Sequence, residues 1–225
     1  MSPEETPVYQ ISRPLALVDE VYNAILDRLT CLDIAPGSKI VVDSLAREIG
    51  VSQTPVREAL GRLEADGLVT KSHLIGHRAS PQLTRRQVEQ LFEIRLLLEP
   101  AGAGAAAVLM TEPVLDELHR LNAEMAALRD NAQHAYGEFA RKDAEFHAVL
   151  AQASGNGFLA DALDRLHTHI HIFRLVRNSR ITSEAIDEHE AILAGLNARD
   201  QNAAFEAMQH HIICSRDRIL PMVSE

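Results

Sequence analysis

Four residues in the second half of the chain have the types and spacing of a metal-binding set. Asp143 and His147 are four positions apart in a helical segment, so both side chains project from one face, one turn apart. His189 and His211 lie in two later helical segments. If these three helices pack together, one carboxylate and three imidazoles meet inside a bundle, a ligand set that suits Zn²⁺, Ni²⁺ or Mn²⁺. We therefore predict one divalent ion per chain, which with five or six ligands keeps positions open for a small carboxylate.

Other histidines nearby are weaker candidates. A single buried histidine is more often a hydrogen-bonded core residue than a metal ligand, and only the four positions together favour an ion. His167 and His171 form a rival pair at the same four-residue spacing, with His169 between them on another face. We interpret these three as a mixture of surface and pocket-lining residues. His210 is adjacent to His211 and is the alternative to it.

An arginine interrupts an otherwise apolar helical face in the segment from Glu93 to Glu99. A guanidinium that faces a bundle interior needs a partner, because burying it alone is costly. From the residues alone, the partner of Arg95 is either Glu99, one turn later, or the carboxylate of a ligand held by two parallel hydrogen bonds. Arg174 and Asn178, in a later helical segment, are further candidates for binding such a ligand.

A second candidate site begins at Val51. Polar residues crowd the start of a helix there, whereas Val56, Leu60 and Leu63 recur behind them at helical spacing. This pattern is typical of a helix whose start contacts a partner while its back packs on a core. We interpret it as the recognition helix of a helix-turn-helix. The residues expected at DNA are Arg47, Ser52, Gln53, Thr54, Arg57 and, on the hairpin that follows, Gly76 and His77.

The start of a helix offers free N–H groups and a positive dipole end, both of which suit a phosphate. We expect Gln53 and Arg57 to contact base edges, and Arg47, Ser52 and Thr54 to hold backbone phosphates. The alternative is that Arg57 lies on a solvated face and that Thr54 only caps the helix, ahead of a proline in its first turn.

The elements that carry these two sites fall into two groups. The order helix, helix, helix, hairpin up to residue 80 is that of a winged helix-turn-helix. After Thr84 the strand signals end and helical segments joined by short loops follow. We predict a mostly α protein: a disordered tail (1–12), a winged helix-turn-helix (13–80) and an all-α bundle of about six helices (81–225). The predicted bundle segments are 84–110, 111–131, 134–153, 158–180, 182–200 and 201–220.

The composition bears on the cellular location of the protein and argues against strong DNA binding. No apolar run approaches 18 residues, and only two cysteines occur, Cys31 and Cys214, so we expect a cytoplasmic protein without a membrane span or disulfide framework. The net charge is −10, and residues 1–80 hold 8 Lys and Arg against 11 Asp and Glu. Because phosphate contacts dominate affinity for DNA, any DNA-binding face must depend on the local placement of a few arginines.

The residues also resemble a known family. The run from Leu45 to Val69, with Thr-Pro-Val-Arg-Glu-Ala-Leu at its centre, resembles the DNA-binding domain of GntR-type bacterial transcription regulators, and Ala35–Ile40 resembles that family's Pro-Gly turn. The helical half resembles the FadR-type ligand-binding domain of the same family. The matching pieces there are Glu93–Glu99, Asp143–His147, Glu188–His189 and Ala207–Ile212. The resemblance covers nearly the whole chain, in the expected order.

The resemblance implies a metal at the Asp/His positions in many members, and it favours a ligand as the partner of Arg95. Because a single recognition helix makes few base contacts, we expect a homodimer on a palindromic operator. One departure bears on sequence preference: Gln53 stands where the family commonly has Arg, and glutamine favours adenine where arginine favours guanine. The wing segment around Leu74 matches only at Gly76.

The sequence leaves three functions open. The leading hypothesis is a regulator, not an enzyme, that binds operator DNA and senses a small organic acid. The second is a metal-dependent enzyme using the Asp/His site to activate water. The Glu-x-x-His pairs of di-iron bundles and a His-Glu-x-x-His motif are absent from the sequence, which argues against it. The third is a purely structural dimerising adaptor.

Overall fold

The computed structural model describes residues 15–72, 76–128, 136–175 and 179–223. The predicted tail (1–12), the predicted helix start at His134 and the effector candidate Asn178 lie outside these ranges. The N-terminal elements are α1 (Leu15–Thr30), β1 (Lys39–Ile40), α2 (Val42–Ile49), α3 (Gln53–Ala65), β2 (Val69–Ser72) and β3 (Gly76–Ala79). The elements that follow are α4 (Arg85–Leu109), α5 (Glu112–Ala127), α6 (Tyr136–Ala153), α7 (Gly157–Leu166), α8 (Thr168–Leu175), α9 (Ser179–Asn197) and α10 (Gln201–Ile219).

The first six elements form the predicted winged helix-turn-helix. The strands pair antiparallel in the order β1-β3-β2, with Val69 opposite Ala79. The apolar backs of α1 and α3 share one core, in which Ile25, Leu29 and Leu60 are fully buried. Because these apolar residues recur at helical spacing and face the core, the polar start of α3 faces outward, as predicted.

Two boundaries differ from the prediction. The N-cap of α3 is Ser52, with an extended backbone at φ −73° and ψ 166°, and not Thr54. Pro55 consequently takes the third helical position, where its missing N–H costs nothing because the first N–H groups of a helix have no partner inside it. Likewise, α2 begins at Val42, whereas the sequence predicts Asp43 as the cap of a helix over 44–49. Gly50 closes this helix as predicted, with a φ of 80° in the left-handed region that glycine adopts readily.

The helical half is a bundle around a second core, with Phe92 and Phe146 among its fully buried residues. Its long first helix, α4, begins with a capping box between Thr84 and Gln87 and continues through Pro100. Helices α9 and α10 pack so closely that a side chain at Gly195 would meet the backbone nitrogen of Ala204 at 2.6 Å. Close approach of these two helices therefore requires glycine at this position.

The described residues of this half form seven helices, whereas about six were predicted. The segment predicted as one helix, 158–180, is divided by His167, whose φ is 42°. A left-handed residue other than glycine costs about 1–2 kcal/mol, so the surrounding contacts must hold this conformation. The apolar spacing of α7 and α8 does not reveal the break. Helix α9 also begins at Ser179, earlier than the predicted 182.

The two cores touch through α1, α6 and α8. Ile170 of α8 packs against the N-terminal core, and Arg141 of α6 forms an ion pair with Asp27 of α1. None of the helices in the described ranges combines the length and apolarity needed to cross a membrane. The predicted domain boundary at residue 80 remains a prediction.

Candidate functional sites

The exposed start of α3 carries the residues predicted to contact DNA. Ser52, Gln53, Thr54 and Arg57 are all exposed, whereas Val56 behind them is fully buried. Because Ser52 makes no side-chain cap, the first N–H groups of α3 remain available to an outside acceptor. This surface can therefore accept a phosphate at the helix start and present polar side chains beside it.

The polar side chains of this surface are bound to one another. Asp43 of α2 pairs with Arg47 at 3.0 Å and accepts a hydrogen bond from Nε2 of Gln53 at 3.2 Å. Oε1 of Gln53 in turn accepts from Arg57 at 3.1 Å. We call Asp43, Arg47, Gln53 and Arg57 the surface network. Its members are exposed, so each pair is weak, about 0–1 kcal/mol, and DNA can replace it.

The wing only partly matches the prediction. Gly76 starts β3 with a φ of 90°, which glycine adopts at no steric cost. His77, however, points inward and is 6% exposed, so the prediction that it contacts DNA is wrong for its side chain in this structure. Strand alternation explains the difference, because inward His77 is followed by outward Arg78. Burial, followed by the nearby charge of Lys71, lowers the pKa of His77.

In the helical half, His147, His189 and His211 converge as predicted. One ring nitrogen from each lies within 4.8 Å of the others, and all three side chains are buried. They come from α6, α9 and α10, so the packing of three helices brings together residues up to 64 positions apart. We call this group the histidine centre. Burial is the largest cause that lowers the pKa of each of its members, which keeps the imidazoles neutral and able to bind a cation.

Asp143 lies beside the histidine centre. Its Oδ1 is 3.6 Å from Nε2 of His189, while its Oδ2 is 2.7 Å from Nδ1 of His169. Burial raises the pKa of Asp143, but the hydrogen bond from His169 and the neighbouring histidines outweigh it and hold the carboxyl ionised. Asp143 is thus available as a fourth ligand on one side of the ion position, already oriented by His169.

His211 is oriented by a carboxylate. Its Nδ1 lies 2.8 Å from Oε2 of Glu188, and Arg218 binds the same carboxylate. This arrangement places the proton of His211 on Nδ1 and leaves Nε2 to face the centre, as metal-binding histidines commonly do. Glu188 and Arg218 were not predicted as site residues. The only feature of the sequence that pointed to Glu188 is its position directly before His189.

Arg95 is buried against Glu99. The guanidinium approaches both carboxylate oxygens, at 2.5 and 3.2 Å, so the first of the two predicted partners is the one found. Burial raises the pKa of Glu99, but Arg95 and His147 hold it well below its usual range. Glu99, His147 and His169 form a second group with ligand atoms within 4.8 Å of one another. The role of Arg95 toward an effector remains a prediction.

The hydrogen bonding of the histidine centre is that expected of a metal site. Nδ1 of His147 lies 2.8 Å from Oε2 of Glu99, but Nε2 of His147 and both ring nitrogens of His189 have no hydrogen-bond partner within the described residues. Leaving a polar group buried without a partner costs about 1–3 kcal/mol, and a bound cation would remove that cost. The three histidines therefore satisfy the requirements of ligand type, protonation and proximity for Zn²⁺, Ni²⁺ or Mn²⁺.

A cavity of about 550 Å³ opens beside the histidine centre. Glu99, His147 and His169 lie on its inner side, α7 forms one wall, and His167 and Thr168 line the start of α8. Its volume falls in the range of small-molecule sites, about 300–1,000 Å³. Arg95 and Arg174, both predicted to bind an effector, are absent from its described lining.

Arg174 instead lies at the junction with the N-terminal elements. It is 1% exposed, and its Nη2 donates to the carbonyl of Ser80 at 2.6 Å. Gln82 donates to the carbonyl of Arg174. Burial lowers the pKa of Arg174. The contacts of this arginine in the structure therefore hold the residues after β3 against α8, and the prediction that it binds an effector has no support from the cavity.

Comparison with known proteins agrees with the architecture. Residues 17–77 match the family described as bacterial regulatory proteins, gntR family, and residues 90–213 match the FCD domain. The chain is 31% identical to the uncharacterized HTH-type transcriptional regulator YieP of Escherichia coli K12, over 73% of this chain and 78% of that protein. It is 30% identical to the HTH-type transcriptional regulator LutR of Bacillus subtilis 168, over 80% and 90%.

The fold is also similar to a solved structure, that of Escherichia coli McbR/YncC. The TM-score is 0.67 at 24% identity, and the alignment covers 90% of this chain and 98% of the other. More than half of the chain matches the FCD domain, and the matched gntR region contains α2, α3 and the exposed residues on them. The chain therefore belongs to the GntR family of DNA-binding transcription regulators and carries an FCD ligand-binding domain behind its winged helix-turn-helix.

Proposed function

We propose that this regulator binds a palindromic operator as a homodimer and senses a small carboxylate at a metal-containing pocket. The observation that carries the proposal is the histidine centre, where two buried histidines have unpartnered nitrogens beside a 550 Å³ cavity. A buried polar group without a partner is costly, and a site that keeps two of them is built for a ligand.

His147, His189 and His211 would hold the divalent ion, with Asp143 as the fourth protein ligand. A bound ion would supply a positive charge at which a carboxylate oxygen can bind. The chain itself contributes the neutral imidazoles, the orientation of His211 by Glu188 and the orientation of Asp143 by His169. His147 belongs both to the centre and to the cavity lining, so an effector in the cavity would lie against the ion position.

Helix α8 is the element through which the cavity would influence the DNA-binding face. His167, Thr168, His169 and Ile170 line the cavity. On the opposite side, Ile170 packs on the N-terminal core, and Nε2 of His167 lies 3.6 Å from Asp66, the C-cap of α3. An effector that moves the start of α8 would therefore act directly on the helix that reads DNA. Such coupling requires only that the effector bind one arrangement of α8 more tightly than another.

An exposed apolar part of α4 supports the dimer. Leu97, Val108 and Leu109 are 70%, 58% and 56% exposed. A single recognition helix makes few base contacts, and the N-terminal half is not basic, so useful affinity requires two half-sites bound together. Two copies related by a twofold axis through α4 would bury these side chains and provide the second helix.

The proposal is tested by DNA binding measured with and without metal and acid. We expect about one ion per chain in the purified protein, and we expect small carboxylates to change its affinity for a palindromic operator only when the ion is present. A His147→Ala and His189→Ala double variant should lose both the ion and the response. His210→Ala, an exposed neighbour of His211, is the matched control and should retain both. A metal-free wild-type protein with an intact response would contradict the proposal.

A further inference from the structure

Two members of the histidine centre each contact a carboxylate that is itself bound by an arginine. Nδ1 of His147 lies 2.8 Å from Oε2 of Glu99, and Arg95 donates to both oxygens of Glu99, at 2.5 and 3.2 Å. All three side chains are buried. Arg95 and Glu99 are four positions apart on α4, so they meet on one face of that helix. We call Arg95, Glu99 and His147 the first triad.

A second triad repeats this arrangement with residues from two other helices. Nδ1 of His211 lies 2.8 Å from Oε2 of Glu188. Arg218 donates to both oxygens of the same carboxylate, at 2.9 Å to Oε2. Glu188 lies on α9, and His211 and Arg218 lie on α10, whereas the first triad joins α4 and α6. Since the two triads share no helix, the same order of groups arises twice from independent contacts.

His189, the third member of the centre, is held in another way. Neither of its ring nitrogens has a hydrogen-bond partner within the described part of the chain. Its ring instead stacks on that of Phe146, with the centroids 4.4 Å apart. Burial in this bundle therefore does not by itself bring a carboxylate to a histidine, and the carboxylates at His147 and His211 need a separate explanation.

A carboxylate at Nδ1 prepares an imidazole to bind a cation. The carboxylate accepts the Nδ1 proton, which leaves the lone pair on Nε2, fixes the orientation of the ring and makes Nε2 a stronger ligand. The arginine holds the carboxylate in place by two hydrogen bonds and supplies the opposite charge, so each triad adds no net charge to the buried site. Nε2 of His147, which has no hydrogen-bond partner among the described residues, is the nitrogen that remains for an ion.

We propose that Glu99 and Glu188 are positioning residues that hold His147 and His211 with Nε2 toward the ion, and that Arg95 and Arg218 act on the ion only through these carboxylates. Arg95, for which the sequence left Glu99 or a ligand carboxylate as the partner, thus serves the metal site and does not contact the effector. This inference rests on the proposed function, since it takes the ion to bind at the histidine centre.

The test is the affinity of the full-length protein for Zn²⁺, measured without DNA or acid by competition with a coloured chelator. Glu99→Gln and Glu188→Gln, which keep the shape of the side chain, should each weaken binding about 10–100-fold. Addition of Arg95→Met to Glu99→Gln should cause no further loss, because the arginine acts through the carboxylate. Arg85→Met with Glu89→Gln changes a more exposed pair at the same spacing on α4, and this matched control should bind Zn²⁺ as the wild type does.

Circular dichroism in the presence of chelator checks that each variant folds. If Glu99→Gln does not fold, Glu188→Gln with and without Arg218→Met gives the same test on the second triad, whose carboxylate and guanidinium are partly exposed. Wild-type affinity in a folded carboxylate variant would overturn the inference and leave the proposed metal pocket in place, and so would a further loss caused by the arginine substitution. A wild-type protein that binds no Zn²⁺ would remove the metal pocket and the inference together.

Discussion

The surface network on α2 and α3 and the histidine centre between α6, α9 and α10 hold their polar groups in opposite ways. On the surface, Asp43, Arg47, Gln53 and Arg57 are exposed and bound to one another. In the interior, Nε2 of His147 and both ring nitrogens of His189 are buried and have no hydrogen-bond partner within the described residues. The surface site can exchange weak contacts for DNA at little cost, whereas the interior site keeps buried nitrogens that a bound cation would satisfy. Stability should therefore depend on the interior site, and DNA affinity on the surface.

The largest expected effect is the removal of the metal. With free ion at about 100 times its dissociation constant, binding stabilises the folded chain by about 2.7 kcal/mol. For a chain of this size, that corresponds to a melting temperature about 5–10 °C higher. Chelation of the wild type should therefore lower the melting temperature by this amount in a thermal-shift assay. The His189→Ala variant should not respond to chelator, and a wild type equally indifferent to it would remove the contrast between the two sites.

Acid should destabilise the helical half through His171. Burial, then the charges of Arg174 and His167, lowers its pKa to about 4. Because the folded pKa lies below the unfolded value of about 6.5, the associated stability is fully present above pH 6.5 and is lost as the pH falls toward 4. Between pH 7 and pH 5 the loss is about 2 kcal/mol. Urea unfolding at pH 7 and pH 5 should show a smaller difference for His171→Asn than for the wild type, while exposed His119→Asn should behave as the wild type.

Arg57→Ala tests the surface site. Loss of a base-reading arginine costs about 1–3 kcal/mol in operator affinity and relaxes the preference at one position. Because Arg57 is exposed, its replacement should leave the unfolding midpoint in urea nearly unchanged. Fluorescence anisotropy with operator and random DNA gives the measurement, with Arg120→Ala on α5 as the control. An equal loss on both DNAs would make Arg57 a phosphate contact, and no loss would exclude it from the interface.

The smallest expected effect comes from Asp43→Ala. The variant removes a carboxylate that binds both Arg47 and Gln53, so their side chains become free for DNA and repulsion of phosphate decreases. We expect operator affinity to rise a few-fold, and stability to change by less than about 0.5 kcal/mol because exposed ion pairs contribute little. A large loss of stability would show that the surface network supports the fold, and would contradict the view that this network affects mainly DNA affinity.

The two sites also differ in how well the sequence predicted them. Helical spacing and the family resemblance were sufficient to predict that His147, His189 and His211 converge, since each lies on the buried face of a long helix. Their role as metal ligands stays a prediction. Spacing and resemblance were also sufficient for the exposed start of α3. His77 was predicted wrongly, because one residue of register in a short strand decides between inside and outside. For Arg95 the sequence offered Glu99 or a ligand as partner, and the structure shows Glu99. For Arg174 it did not predict the contact with the carbonyl of Ser80.

The contact of His169 with Asp143 could not be predicted from the sequence. This contact depends on the break at His167, which turns α8 away from α7. Because no glycine or proline occurs at that break, the sequence predicted one continuous helix over 158–180. The partners of His169 are set by tertiary packing and not by local spacing.

The close contact between α9 and α10 has a consequence for metal preference. Gly195 and Ala204 lie at one end of the same two helices that carry His189 and His211, and a side chain at Gly195 would meet backbone atoms at 2.6 and 2.8 Å. Backbone cannot move aside as a flexible side chain does, so any larger residue must drive the helices apart. Ligand positions have to be correct to within about 0.5 Å. At the proposed metal site, the ionic radius that fits would therefore depend partly on a hydrogen atom, the side chain of a glycine six residues from His189.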